Sequence, residues 1–184
     1  MPETFESERL ILRPWQQRDF APFAALNADP RVMKHFPGVT TGTQSNVLVE
    51  RFQERQARGV ISFSAVERKS DGAFIGLAGL SRPGVNLPIG PCVEIGWRLA
   101  FEHWGQGYAT EAALAWLALG FTDMGLDEIV AFTVPGNDRS VAVMKRIGLR
   151  RDRARDFEHP ALPQGHRLRP HLLYAITHEA WQAT

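Results

Sequence analysis

The sequence predicts one mixed α/β domain over residues 1–184, and three observations carry that prediction. Segments with the period-two alternation of strands are interleaved with segments of helical apolar spacing. No internal repeat, low-complexity tract or linker interrupts them. A chain of 184 residues, 44% hydrophobic and 22% charged, is also long and apolar enough to bury a core.

Taken in order, residues 8–13 alternate apolar and charged positions and stop at Pro14, a strand with a defined end. Residues 19–27 have helical spacing, Asp29-Pro30 restarts the chain, and 31–36 read as a short helical segment. Residues 40–58 place Val47, Leu48, Phe52 and Gln56 for one helix, with Gly59 as its stop. These helices between the first two strands would wall a pocket. Residues 60–68 and 74–80 read as an antiparallel pair about the turn Ser70-Asp71-Gly72. Residues 82–91 hold three Pro and two Gly and read as a loop. Residues 93–99 form a strand, Gly105-Gln106-Gly107 a tight turn, and 108–121 a helix apolar on most faces and therefore central. A strand over 128–134, a short amphipathic helix over Asp138–Arg146 closed by Gly148, and a strand over 149–157 follow. After a Pro- and His-rich stretch, 159–171, a last strand covers 172–177.

Composition excludes several partners. With 21 Lys and Arg against 20 Asp and Glu, the net charge of +1 does not describe a chain built to coat nucleic acid. The single Cys92 forms no internal disulfide, and the six His show no paired ligand spacing, so no metal is expected. The opening MPETFESERL has neither the basic nor the apolar region of a secretion signal, and the longest mainly apolar run, 112–121, is too short for a bilayer. The expected setting is a reducing cytoplasm without a membrane partner, and a homodimer is compatible with this composition. The mean charge hides a polarity, because residues 101–138 carry six acids and no Lys or Arg. Residues 139–155 then carry Arg139, Lys145, Arg146, Arg150, Arg151, Arg153 and Arg155 against Asp152 alone. Such a block is a solvated face or a local anion site.

The turn Trp104-Gly105-Gln106-Gly107-Tyr108-Ala109 joins a strand to a helix. Two glycines let the backbone approach a ligand closely, and the open N–H groups of a helix start face an anion. A dinucleotide fold would place a third glycine where Thr110 stands and a βαβ unit before it, and no Walker Gly-Lys-Ser/Thr exists.

The run Val93-Glu-Ile-Gly-Trp-Arg-Leu-Ala-Phe-Glu-His-Trp-Gly-Gln-Gly-Tyr-Ala-Thr-Glu-Ala112 resembles the acetyl-CoA motif of the GCN5-related N-acetyltransferases (GNAT), whose turn reads Gln/Arg-x-x-Gly-x-Gly/Ala. Downstream, Asn137-Asp-Arg-Ser-Val-Ala-Val-Met-Lys-Arg-Ile-Gly148 resembles the next motif, in the Asn-x-x-Ser form of the ribosomal-protein alanine and serine N-terminal acetyltransferases. The opening Glu8-Arg-Leu-Ile-Leu-Arg-Pro14 is similar to the family's as well, so the resemblance spans essentially the whole chain. It implies a GNAT fold: a mostly antiparallel, partly splayed mixed sheet of about six or seven strands flanked by about four helices. It implies acetyl-CoA as co-substrate, with the pyrophosphate on the amides of Trp104, Gly105, Gln106, Gly107, Tyr108, Ala109 and Thr110. The pantetheine arm would pair with Trp97, Arg98 and Leu99, and a backbone N–H there would hold the oxyanion. Asn137 would bond the cofactor's amide chain, or cap the helix that follows. Arg139 lies where the 3′-phosphate would emerge. Trp104 departs from the family's Gln or Arg, which leaves main-chain contacts possible and removes one helpful side chain.

Acetyl transfer to a primary-amine acceptor needs a neutral amine, and an alkyl amine of pKa about 10 is almost wholly protonated at neutral pH. Glu94, flanked by Val93 and Ile95 and so facing away from both, is the leading base; a solvent-facing strand carboxylate is the plain alternative. Glu111 reads as structural, Glu67 and Asp71 as weaker candidates. Many relatives place a Tyr seven residues after the Asn to protonate the departing sulfur; here that position is Met144, which leaves Ser140 as donor. Glu158, His159 and His166 border the acceptor or serve as turn and surface residues, and His159 is a second base candidate. Cys92 has no motif partner, so transfer is expected to be direct rather than through a cysteinyl intermediate. The missing Tyr keeps a rival open, an acyl-CoA-binding sensor or scaffold without turnover.

Overall fold

The computed structural model describes residues 4–183, which divide into two compact units. The first comprises the chain up to Gly79 together with Gly96–Ala115; the second comprises Leu80–Ile95 and the chain from Trp116 onward.

In the first unit β1 (Phe5–Glu6) and β2 (Leu10–Arg13) lead into α1 (Phe20–Ala28) and α2 (Gly42–Ala57), followed by β3 (Ser64–Arg68) and β4 (Ala73–Ser81). β1, β2, β3 and β4 pair antiparallel in that order, in the registers Phe5↔Leu12, Leu10↔Arg68 and Ser64↔Ala78. The later part of β5 (Glu94–Leu99) lies beside β4, and the Ala100 N–H donates to the Ile75 carbonyl at 3.0 Å. Thr41 caps α2 by a reciprocal box with Gln44, and Gly59 at φ 68 ends it, as its position predicts. Trp15, Phe23, Leu26, Val49 and Leu77 form the core here, with the Trp15 ring edge-on to Phe23 and stacked on Phe52. Beneath it Arg13, almost fully buried, is held by Asp19 and Glu67.

Two expectations change in this unit. The strand expected over 60–68 begins only at Ser64, because the Phe63 carbonyl is taken by the indole N–H of Trp15 (2.9 Å) and the amide of Gln56 (3.2 Å). The helical segment expected over 31–36 shrinks to a single 3-10 turn, Met33–His35.

α3 (Tyr108–Thr122) begins in the first unit, where Ala112 and Ala113 are buried, and ends in the second, where Trp116, Leu117 and Phe121 are. Leu114, 45% exposed, departs from the central burial expected of the helix's apolar residues. In the second unit β6 (Glu128–Thr133) is parallel to the start of β5 at Glu94↔Val130. α4 (Asp138–Arg146), β7 (Arg150–Arg151), β8 (Phe157–Glu158) and β9 (Pro170–Thr177) follow, and β9 pairs antiparallel with β6, β7 and β8. The expected strand over 149–157 is broken, because Asp152 caps a 3-10 turn over Arg153–Arg155 through the Ala154 N–H at 3.1 Å. α5 (His178–Gln182), capped by Thr177, was not expected. The architecture is mixed α/β with mostly antiparallel and partly parallel pairing. The six or seven strands expected are met by the longer ones; β1, β7 and β8 have two residues each and bring the total among the described residues to nine.

Candidate active site

In the first unit the chain leaves β5 through a 3-10 turn, Phe101–His103, and enters the glycine turn at Trp104. The Trp104 indole N–H donates to the Leu99 carbonyl at 2.8 Å, tying the strand's end to the turn. Gly105 and Gly107 take φ of 75 and 84, values that only glycine adopts without strain, and both are exposed with Gln106 between them. A Cβ placed on Gly105 would meet nothing within 4 Å, so the backbone there is open to a ligand. α3 starts at Tyr108, and the N–H groups of Tyr108, Ala109 and Thr110 belong to the first turn, which has no intrahelical acceptors. These donors and the positive helix end suit a pyrophosphate.

Arg9 was given no role by sequence reasoning, yet it sits at this turn. Its Nη1 donates to the Gln106 carbonyl at 3.0 Å, its guanidinium lies 4.6 Å from the Tyr108 ring centre, and its Nε donates to Glu111 at 2.6 Å. Glu111, read as structural, also accepts from the Ser7 hydroxyl (2.6 Å) and the Arg9 N–H (2.7 Å). An acid one turn into α3 would oppose an anion, but Arg9 offsets its charge. Burial works to raise the Glu111 carboxyl; the Ser7 hydroxyl and the Arg9 donors together outweigh it and hold the group below the usual glutamate range. A lowered pKa contributes stability that is present above the unfolded value, about 4.3, and is lost as pH falls through the folded one. Glu111→Gln is therefore expected to lower stability at neutral pH and to flatten its acid limb below about pH 4.3. Urea midpoints measured from pH 3 to pH 7 check this; parallel profiles for the two proteins would contradict it.

In the same unit Glu67 accepts from Arg13 and Arg18, and Asp71 from Arg68, so both weaker acid candidates are engaged in ion pairs. Trp97, Arg98 and Leu99 occupy the end of β5 as expected.

In the second unit Glu94 opens β5, partly buried, opposite Val130. Asn137 ends the β6 connection and caps α4, accepting from the Ser140 N–H at 3.4 Å while its Nδ2 donates to Thr133 Oγ1 at 2.8 Å. The structure thus brings Asn137 and Ser140 together at one helix start. Met144, at the position of the relatives' Tyr, is fully buried in the core face of α4. The basic block is less free than its count suggests. Arg151 pairs with Asp156, one residue beyond the counted segment, and Arg155 pairs with Glu128 (2.7 Å) and Asp152 (2.7 Å). Arg139, Lys145, Arg146 and Arg150 remain exposed on or beside α4.

The histidine loop is built largely on its own hydrogen bonds. The Ala161 N–H donates to His159 Nδ1 at 3.3 Å, and the Leu168 N–H donates to His166 Nδ1 at 3.2 Å. Glu158 pairs with Arg169. A neutral His159 ring that accepts at Nδ1 carries its proton on Nε2. Burial holds both His159 and His171 below the usual imidazole range. Cys92 is partly buried, and burial first, then the charges of Glu94 and Glu128, pushes its thiol up.

Comparison with known proteins bears on this geometry. The family model for the acetyltransferase (GNAT) domain matches residues 9–150. The chain belongs to the GNAT acetyltransferase family. This acetyltransferase is 31% identical over 176 residues to the uncharacterized N-acetyltransferase YnaD of Bacillus subtilis strain 168, covering 95% of this chain and 97% of that one. The crystal structure of a GNAT-family acetyltransferase from Bacillus anthracis superposes with a TM-score of 0.79 at 28% identity, over 96% of this chain and 99% of that one. Mycobacterium smegmatis RimJ in complex with CoA-disulfide is 25% identical, with a TM-score of 0.73 over 97% of this chain and 88% of that one. The protein is thus an acyltransferase of a family that uses acetyl-CoA, and the open amides of its glycine turn fit that donor. Among the described residues no helix is long and apolar enough to cross a membrane, and no group of three or more His, Cys, Asp or Glu could hold a metal ion.

Proposed function

We propose that this acetyltransferase moves the acetyl group of acetyl-CoA directly to a primary amine, with Glu94 as base and Ser140 as proton donor to the departing sulfur. The observation that carries direct transfer is Cys92, a partly buried thiol pushed up by burial and neighbouring carboxylates, hence a protonated and poor nucleophile at neutral pH. Acetyl-CoA supplies an activated thioester. The main-chain amides of Trp104 to Thr110 would hold its pyrophosphate, Trp97 to Leu99 its pantetheine arm, and Asn137 and Arg139 its amide chain and 3′-phosphate. Glu94 accepts a proton from the acceptor's ammonium and the freed nitrogen forms the new C–N bond; the C–S bond breaks as Ser140 donates its proton to sulfur and takes in its place the second proton that the acylated nitrogen sheds to become an amide. Asn137, bonded to the Ser140 N–H, fixes the turn that presents that hydroxyl.

A thiol-release assay with acetyl-CoA and a panel of amines and peptides tests this. Glu94→Gln is expected to lower turnover about a hundredfold, and Ser140→Ala by a smaller factor, while calorimetry shows coenzyme A still bound. Cys92→Ala should turn over normally; an acetylated Cys92 trapped in the wild type would overturn direct transfer. Tight binding without turnover on any acceptor would favour the sensor reading.

A further inference from the structure

The end of β5 holds a partly buried cation with no acid beside it. Nη1 of Arg98 donates to Asn27 Oδ1 at 2.6 Å, and the guanidinium packs 4.1 Å from the centre of the Phe36 ring. Among the described residues no carboxylate lies within ion-pair distance of it, and its Nε is buried without a hydrogen-bond partner. Burial alone, with nothing to offset it, pulls its pKa down to about 10. Arg13 in the same unit differs: that guanidinium is buried further, and it has two carboxylates. A guanidinium desolvated without a counter-charge is an anion receptor, because part of the cost of desolvation is recovered when an anion binds.

The surroundings are held in place for that use. Asn27 is fully buried, and its Nδ2 donates to Ser45 Oγ at 2.5 Å, which orients the amide so that its oxygen meets Arg98. Asn27's carbonyl accepts from the Thr40 N–H at 3.0 Å, and Thr40 Oγ1 is itself buried with no partner. One guanidinium nitrogen and one hydroxyl, both buried without a partner, therefore belong to residues bonded to one asparagine near the end of α1. The period of two along β5 also puts Arg98 on the strand face that carries Gly96.

We infer that Arg98, positioned by Asn27 and Phe36 and flanked by Thr40, binds a carboxylate on the acceptor, so that the acceptor is an amino acid-like amine rather than a protein N-terminus. This rests on the acetyl-transfer reading above and names its substrate class. The planar guanidinium takes a carboxylate through paired N–H bonds, and Phe36 closes one of its faces to water.

The test measures kcat/KM with acetyl-CoA for α-amino acids of aliphatic, aromatic and acidic side chain, each beside its C-terminal carboxamide. The wild type is expected to prefer the acid at least tenfold for its best acceptor, and Arg98→Met to bring that ratio toward one. Because Arg98→Met leaves a hole at a packed site, Asn27→Asp is the second variant. It gives Arg98 an internal counter-charge, and it is expected to keep or raise the melting temperature while abolishing the preference for the acid. Equal use of acid and amide by the wild type, or a preference that survives both variants, overturns the inference. Arg98 dependence that appears with succinyl-CoA as donor but not with the acceptor's carboxylate overturns its assignment to the acceptor. If no amine of either kind releases thiol in the wild type, the acetyl-transfer reading fails instead. The Arg98 site is then judged by thermal shift with N-acetylated amino acids against their amides, where equal shifts refute it.

Discussion

Gly76→Ala is expected to destabilise the protein by more than about 4 kcal/mol, enough to leave much of it unfolded at room temperature. Gly76 sits in β4 opposite Val66, with φ 147, in a region that side chains rarely enter. A Cβ there would lie 2.2 Å from the Arg98 carbonyl oxygen and 2.7 Å from the Leu99 Cα. Both are backbone atoms of β5, so no rotamer relieves the collision and the strands must part. Gly59→Ala is the control: its φ of 68 is also unfavourable, but the added Cβ meets nothing within 4 Å. That change should cost only about 1 kcal/mol. Thermal or urea unfolding of the two variants decides the matter, and similar losses would show that close approach of β4 to β5 is not what requires the glycine.

Asp19→Asn is expected to cost about 3–5 kcal/mol through a different route. Asp19 has no exposed side-chain surface and accepts from Arg13 Nη1 at 2.7 Å, Arg13 Nη2 at 2.9 Å and the Gln16 N–H at 2.8 Å. Asparagine keeps the shape, loses the charge, and turns one donor toward another. Arg13 would retain Glu67 at 2.7 Å, a carboxylate it shares with Arg18. Adding Arg13→Met should therefore restore part of the loss, since the greater cost lies in a buried charge without its partner. A double variant as unstable as the sum of the singles would argue that the pair acts only through packing.

The elements legible in the sequence are those with chemical punctuation at both ends. α4 runs over the residues expected because Asn137 caps its start and Gly148, at φ 89, follows its end. The glycine turn and the helix after it were legible for the same reason. Residues 149–157 were misread because Asp152, within a run of charged residues, diverts the backbone with its side chain. Residues 60–63 were misread because the group that takes the Phe63 carbonyl is Trp15, 48 positions away. The site follows the same rule. Glu94, Asn137 and Ser140 stand in local motifs, whereas Arg9 acquires a role only through Glu111, 102 positions on, and Arg98 only through Asn27, 71 positions back. Charge counted along the chain likewise misjudged Arg151 and Arg155, whose acids lie just outside the segment or on another strand.

The bond from Trp104 to the Leu99 carbonyl gives the protein an optical reporter. Of its five tryptophans, Trp15 and Trp116 are buried at 4% and 1% exposure, whereas Trp104 adjoins the exposed glycines. An indole whose N–H is fixed at 2.8 Å to a carbonyl responds in emission to any change in the field around it, and a dianion settling on Gly105 to Thr110 is a large change. Coenzyme A titrations can then be followed by intrinsic fluorescence without a label, with Trp104→Phe as the blank that isolates the signal.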